Sequence, residues 1–281
     1  MLPLVLALGA SVAWGVSDFL GGLESRSGTL VAVMVASQGW SLLAIAAVVV
    51  ASGAPLPDAA HLRLAIGGGV TELIGFAALY RGLARGPMSI VAPLSTTAAV
   101  VPLAAGLLAG TAPRTWQAAG IAIAIGGVAV AAVEEAHEHE QSGRSSHGVL
   151  CAAVAALGFG TSYVLIADAA AGGALGAVLV ARGSSAAVMA CCAWALVGGA
   201  PSLGGAGAVA VAACGVLEAG ATMLFAVAAT HGLTSIVAAI SSLYPLTTAA
   251  LAQLVLRERL NARQLAGVSA AVAGVALIAL G

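Results

Sequence analysis

Glu134-Glu135-Ala136-His137-Glu138-His139-Glu140-Gln141-Ser142-Gly143-Arg144-Ser145-Ser146-His147 is the longest polar stretch of a 281-residue chain that is otherwise apolar almost throughout. A run of that charge density stays in water, so it reads as a solvated connector between two units. On either side the sequence breaks, at Gly, Pro or charged residues, into apolar blocks. Each is long enough to cross a hydrocarbon core of about 30 Å as a helix of about 20 residues. The blocks are residues 2–21, 29–52, 62–81, 87–109 and 114–133 before the connector, and 148–168, 175–199, 205–229, 232–255 and 262–280 after it. They are continuously apolar, whereas strands of a membrane barrel alternate. The expectation is an all-α membrane protein of ten transmembrane helices, five in residues 1–133 and five in residues 148–281, joined by the 134–147 connector.

Composition leads to the same solvent. Apolar residues make up 61% of the chain and charged residues 7%, against roughly 25% charged in soluble domains. The mean hydropathy is +1.08, and too few polar side chains remain to cover a surface in water. The 37 glycines suit membrane helices, where small residues let backbones approach. A net charge of −1 leaves no basic footprint for nucleic acid. The apolar run from Met1 has no basic segment before it and reads as the first span, not a cleaved signal.

Shifting the chain by about 146 residues overlays its halves. Trp14-Gly15-Val16-Ser17 meets Phe159-Gly160-Thr161-Ser162, and Glu72 meets Glu218. Gly86-Pro87-Met88-Ser89-Ile90-Val91-Ala92 meets Gly232-Leu233-Thr234-Ser235-Ile236-Val237-Ala238. Gln117, Gly120 and Gly127 meet Gln264, Gly267 and Gly274. With an odd number of spans per unit, the second unit enters the membrane with opposite orientation. Inverted repeats of this kind build secondary transporters, with the substrate between the halves near the midplane.

These elements resemble the ten-helix EamA-type members of the drug/metabolite transporter superfamily. The resemblance rests on the aromatic-Gly-x-Ser element opening each unit, the two Gly-x-x-Ser-Ile-Val-Ala elements, Ser242-Leu243-Tyr244-Pro245-Leu246, and Leu256-Arg257-Glu258-Arg259-Leu260 with Gln264 and Gly267. It covers essentially the whole chain. One departure is Thr111, standing where the second unit has Glu258. The resemblance implies a carrier of small metabolites, amino acids or drugs, mostly exporting and often driven by protons. It also implies cytoplasmic termini in a cell membrane. The arginines disagree. With that orientation Arg63, Arg114 and Arg182 face inward and seven others outward, the reverse of the positive-inside pattern.

Ionisable residues at membrane depth cost about 2.5–3.5 kcal/mol each even on the insertion scale, so each calls for a reason. Four qualify: Asp18, Glu72, Arg182 and Glu218. Glu72 and Glu218 have glycines on adjoining turns, where a backbone or ligand could approach, and each is a candidate for carrying a proton or packing as half of an ion pair. Arg182 needs a partner, either a glutamate or a substrate carboxylate. Its proximity in sequence favours Glu218 as its structural partner and leaves Glu72, without a basic partner, as the coupling acid. Asp18 reads equally as a cavity-mouth residue or a helix end reaching headgroups. Gln38, beside Ser37, is the polar residue of span two at the depth of Arg182 in span seven. Trp14, Tyr163 and Tyr244, with Phe159, are aromatic candidates for holding an apolar or cationic substrate, or for packing. Ser95-Thr96-Thr97 and Ser241-Ser242 offer hydroxyls, and Trp40, Trp116 and Trp194 read as interfacial or packing residues.

Other chemistry is poorly supplied. Cys151, Cys191, Cys192 and Cys214 lie in apolar blocks without metal-ligand spacing and read as small packing residues. His137 and His139 offer no closed ligand set, so no metal or cofactor is expected. There is no G-x-x-x-x-G-K-[ST] phosphate loop, which leaves no ATP-driven pump in this chain. An intramembrane protease would need a histidine opposite Gly15-Val16-Ser17, or a second aspartate beside Asp18. Neither is present at depth, so no enzyme is expected. The partners implied are a small solute, the bilayer and protons, in a monomer or homodimer; an uncoupled facilitator or uptake carrier is the alternative.

Overall fold

A computed structural model describes residues 2–85, 91–92, 94–108, 115–116, 119–120, 122–123, 126–127, 130, 147–199, 202–203, 207–232, 234–241, 243–257 and 262–280. Among the described residues the regular structure is helical, with no strand. Among the described residues six helices are long and apolar enough to cross a membrane. They are α1 (Leu2–Ser27), α2 (Leu30–Ser52), α3 (Ala59–Arg85), α5 (His147–Ala170), α6 (Ala174–Val197) and α7 (Ala208–His231). Shorter pieces are a 3₁₀ turn (Ser95–Ala99) leading into α4 (Val100–Leu108), then α8 (Thr234–Ser241), α9 (Tyr244–Val255) and α10 (Ala262–Leu280).

Helix ends are set by local chemistry. The Thr29 hydroxyl accepts from the Ala32 amide at 3.3 Å and opens α2. Gly53, at φ 64°, closes α2 in the left-handed conformation that suits glycine. The apolar block 232–255 is not one helix. It breaks between Ser241 and Tyr244, and Pro245 stands in the first turn of α9, where its missing N–H costs no helical hydrogen bond. The first span extends beyond its expected end at residue 21 to Ser27, and the third runs from Ala59 to Arg85. Asp18 therefore lies within α1, not at a helix end. Glu258, most of the 114–133 block, residues 134–146 of the connector, Gly86–Ile90, Leu233 and Ser242 lie outside the described residues.

Packing runs across the two halves of the sequence. α1 packs on α7 and α5 on α3; α2 packs on α7 and α6 on α3; α2 and α6 meet each other. The closest approaches need glycine. A Cβ on Gly69 of α3 would lie 2.1 Å from the Ala181 carbonyl oxygen of α6, and one on Gly215 of α7 would lie 2.2 Å from the Ser37 carbonyl oxygen of α2. Each of these glycines is one turn before a glutamate, Glu72 or Glu218, so the same approach carries both acids into the interior. The outside is apolar: Val5, Leu8, Val12, Leu43, Val50, Leu157 and Trp194 are exposed, as a lipid-facing surface requires. Trp40 and Trp116 are exposed with them.

Candidate functional site

At the centre of the helices, Arg182 of α6 is fully buried. Its Nη2 lies 2.5 Å from Oε1 of Glu72 on α3, and its Nη1 is paired with Oε1 of Glu218 on α7. Nη2 also donates to the Thr222 hydroxyl at 2.9 Å. That hydroxyl in turn donates to the backbone oxygen of Glu218 at 3.0 Å. Gln38 of α2 completes the group, with Nε2 donating to Oε2 of Glu218 at 3.3 Å. The expectation that Glu72 has no basic partner is corrected here. Close packing of α3 on α6 over Gly69 brings it to the same guanidinium as Glu218, although 110 residues of sequence separate Glu72 and Arg182.

A narrow cavity adjoins this cluster, lined by Trp14 and Asp18 of α1, Glu72 and Phe76 of α3, Phe159, Ser162 and Tyr163 of α5, and Tyr244 at the start of α9. Non-atom space within it is about 250 Å³, but only about 10 Å³ admits the centre of a water-sized body, about the room one water needs. The rings close on one another. Trp14 lies 5.7 Å from Tyr163 and 6.1 Å from Tyr244, and Phe159 lies 5.0 Å from Phe76 and 6.2 Å from Tyr244, centroid to centroid. A larger solute enters only if they part. The Tyr244 hydroxyl lies 3.1 Å from the Ser95 hydroxyl, so the break between α8 and α9 meets the 3₁₀ turn of the first half beside the cavity.

Asp18 is 1% exposed, and its Oδ1 has no hydrogen-bond partner among the described residues; Oε2 of Glu72 has none either. Both carboxyls line the cavity. Beneath Asp18, Ser17 donates to the Cys214 backbone oxygen at 2.9 Å, and the Cys214 thiol lies 3.3 Å from the Ser17 hydroxyl and 3.2 Å from that of Tyr80. Cys214 is thus a buried packing residue, whereas Cys191 and Cys192 are exposed on α6.

The structure sorts the sequence candidates into two adjoining groups. Glu72, Glu218, Arg182 and Gln38 form the ion cluster, and Trp14, Asp18, Tyr163 and Tyr244 line the cavity with Glu72. Phe76, Ser162 and Thr222 were not singled out as site residues. Phe76 and Thr222 follow Glu72 and Glu218 by four residues, so one helical turn on the same face was the available signal. The Ser95 hydroxyl donates to the backbone oxygen of Ala92 and reaches Tyr244, while Thr97 donates to that of Leu94 and Ser241 to that of Ala7. Among the described residues no three His, Cys, Asp or Glu side chains are gathered to hold a metal ion.

Residues 146–280 match the model of the EamA-like transporter family. This half of the chain belongs to the EamA-like transporter family. The EamA match over residues 146–280, the six long apolar helices among the described residues and the lipid-compatible surface make the chain an integral membrane protein. A solved crystal structure is similar to it over 99% of this chain and 97% of its own, with a TM-score of 0.68 and 17% identity. That likeness is one of fold. No curated protein matches the chain.

Proposed function

We propose that this EamA-type chain is a secondary transporter that carries a small organic solute through the central cavity by alternating access. In this reading it has ten spans in two inverted five-helix repeats, resides in a cell membrane with cytoplasmic termini, exports its solute, and works as a monomer or homodimer. The carrier reading follows the family, whose members transport and do not catalyse.

The repeat is supported by contacts that recur when the halves are exchanged. Gly69 against Ala181 is matched by Gly215 against Ser37. Gly15 of α1 against the Tyr244 carbonyl oxygen is matched by Gly160 of α5 against that of Ala98. Contacts that recur in this way set the cavity, lined from α1 and α3 of the first half and α5 and α9 of the second, where inverted-repeat carriers hold their substrate.

The observation that carries proton coupling is the charge imbalance around Arg182: one guanidinium faces Glu72 and Glu218, while Asp18 lies beside them with no partner for its Oδ1 among the described residues. A buried carboxylate without a cation is neutralised by a proton, and a site that exchanges protons as it opens to either side couples solute to the proton gradient. The test is flux in proteoliposomes of the purified chain, loaded with a pH indicator and offered amino acids, nucleosides and amines across an imposed pH gradient. One class should collapse the gradient, and Asp18→Asn should lose that response. Flux without proton movement would make the chain a facilitator, and no flux of any class would remove the carrier reading.

A further inference from the structure

We propose that the solute carried is a small organic cation, held by its positive charge against Asp18 within the aromatic cavity and exchanged there for a proton. The inference rests on the carrier reading and names its substrate class. Four observations meet in one place. The cavity wall is made of Trp14, Phe76, Phe159, Tyr163 and Tyr244, and aromatic faces attract a desolvated cation through the ring quadrupole. Its charged lining is acidic, Asp18 and Glu72, each with one oxygen that has no partner among the described residues, and Ser162 adds a hydroxyl. Both carboxyls are at least nine-tenths buried. Both terminal nitrogens of the nearby guanidinium are engaged by Glu72, Glu218 and Thr222, its Nε alone having no partner among the described residues, and Arg182 does not line the cavity, so a carboxylate solute there would meet two acids first.

Among the described residues the ionisable groups around Asp18 come from four elements. α3 contributes Glu72 and Tyr80, α7 contributes Glu218 and Cys214, α5 contributes Tyr163 and α9 contributes Tyr244. Arg182 of α6 stands behind the two glutamates, and α2 and α8 present only neutral groups, among them Gln38. Three acids face one cation. The single charge of Arg182 offsets one of the two glutamates it touches, and Asp18, which has no contact with that guanidinium, has its charge left to a proton or to a bound cation, and the two compete. When the cation enters, the O–H bond of Asp18 breaks and its proton passes to water on the side from which the cation came. When the cation leaves on the other side, Asp18 takes a proton from water there. For a monovalent cation the exchange moves one charge each way and is electroneutral.

The probe is benzyltrimethylammonium, with its neutral carbon isostere neopentylbenzene, the anion phenylacetate and the zwitterion phenylalanine as comparisons. Each is titrated into the purified full-length chain in weakly buffered detergent, with Trp fluorescence reporting binding and a pH indicator reporting protons. The cation should bind at least tenfold more tightly than its isostere and release about one proton as it does. Asp18→Asn should abolish the release and weaken binding at least tenfold, and Asp18→Glu should keep the release. Proton release from the wild-type chain is itself decisive if Asp18→Asn does not fold. Binding without proton release, equal binding of the isostere, or no binding of the cation overturns the inference. Phenylalanine bound in place of the cation overturns the substrate class and leaves the carrier reading standing. Cation binding with proton release but no flux in proteoliposomes keeps the site and removes the carrier.

Discussion

Arg182 of α6 and Glu72 of α3 form a fully buried ion pair at 2.5 Å that joins the two halves of the chain. Because the same guanidinium holds Glu218, one side chain ties together two acids from two helices while its single charge offsets one of them. The desolvation of such a group is recovered only while every member stays in place.

Removing the cation alone should therefore be severe. Arg182→Leu leaves two buried carboxylates facing each other, at a cost of about 3–5 kcal/mol. Thermal unfolding in detergent should show the loss. The triple variant Arg182→Leu, Glu72→Gln, Glu218→Gln should recover most of it, because no uncompensated charge remains. A triple variant as unstable as the single one would mean that the arginine acts through packing.

Asp18 should behave in the opposite way. It has no cationic partner among the described residues, so Asp18→Asn removes a burial cost and keeps the shape. The variant should melt at or above the wild-type temperature at neutral pH while losing gradient-driven accumulation. A marked drop in melting temperature would show that the aspartate is structural.

Gly69→Ala and Gly215→Ala should each cost about 1–3 kcal/mol, the usual range for forcing extra atoms into a packed interior. In both the added carbon meets a backbone oxygen that cannot rotate away. Gly39→Ala, with nothing within 4 Å of the added carbon, is the control and should be nearly silent in the same melting assay.

Outside the spans, Asp58 opens α3. Its carboxylate accepts from the His61 amide at 3.1 Å, the His61 ring at 2.9 Å and the Ala60 amide at 2.9 Å. The hydrogen bonds from His61, backbone first, hold this carboxyl below its ordinary value. A depressed acid in the folded state stabilises above its unfolded value of about 3.9 and loses that contribution as pH falls through the folded one. Melting temperatures of the wild type and Asp58→Ala should thus differ at pH 6 and converge as the pH falls below 4. A difference that persists in acid would assign the effect to packing.

The membrane class and the long apolar helices could be read from the sequence. They depend on hydropathy and on the number of residues needed to cross a bilayer, and both are additive along a chain. The pairing of Glu72 with Glu218 was legible too, because the shift of about 146 residues is a property of the letters alone. What the sequence could not decide was the partnership of those charges. Sequence distance favoured Glu218 for Arg182 and left Glu72 alone, but helix packing is set by close approach across halves, and Gly69 brings α3 against α6. The place of Asp18 was equally hidden, since whether a residue near an expected helix end meets headgroups or the interior depends on where α1 stops, at Ser27, and on what packs beside it. Composition fixed the solvent and the helices; only the tertiary structure decided which buried charges are balanced, because balance is a matter of a few ångströms between chain segments that lie far apart in sequence.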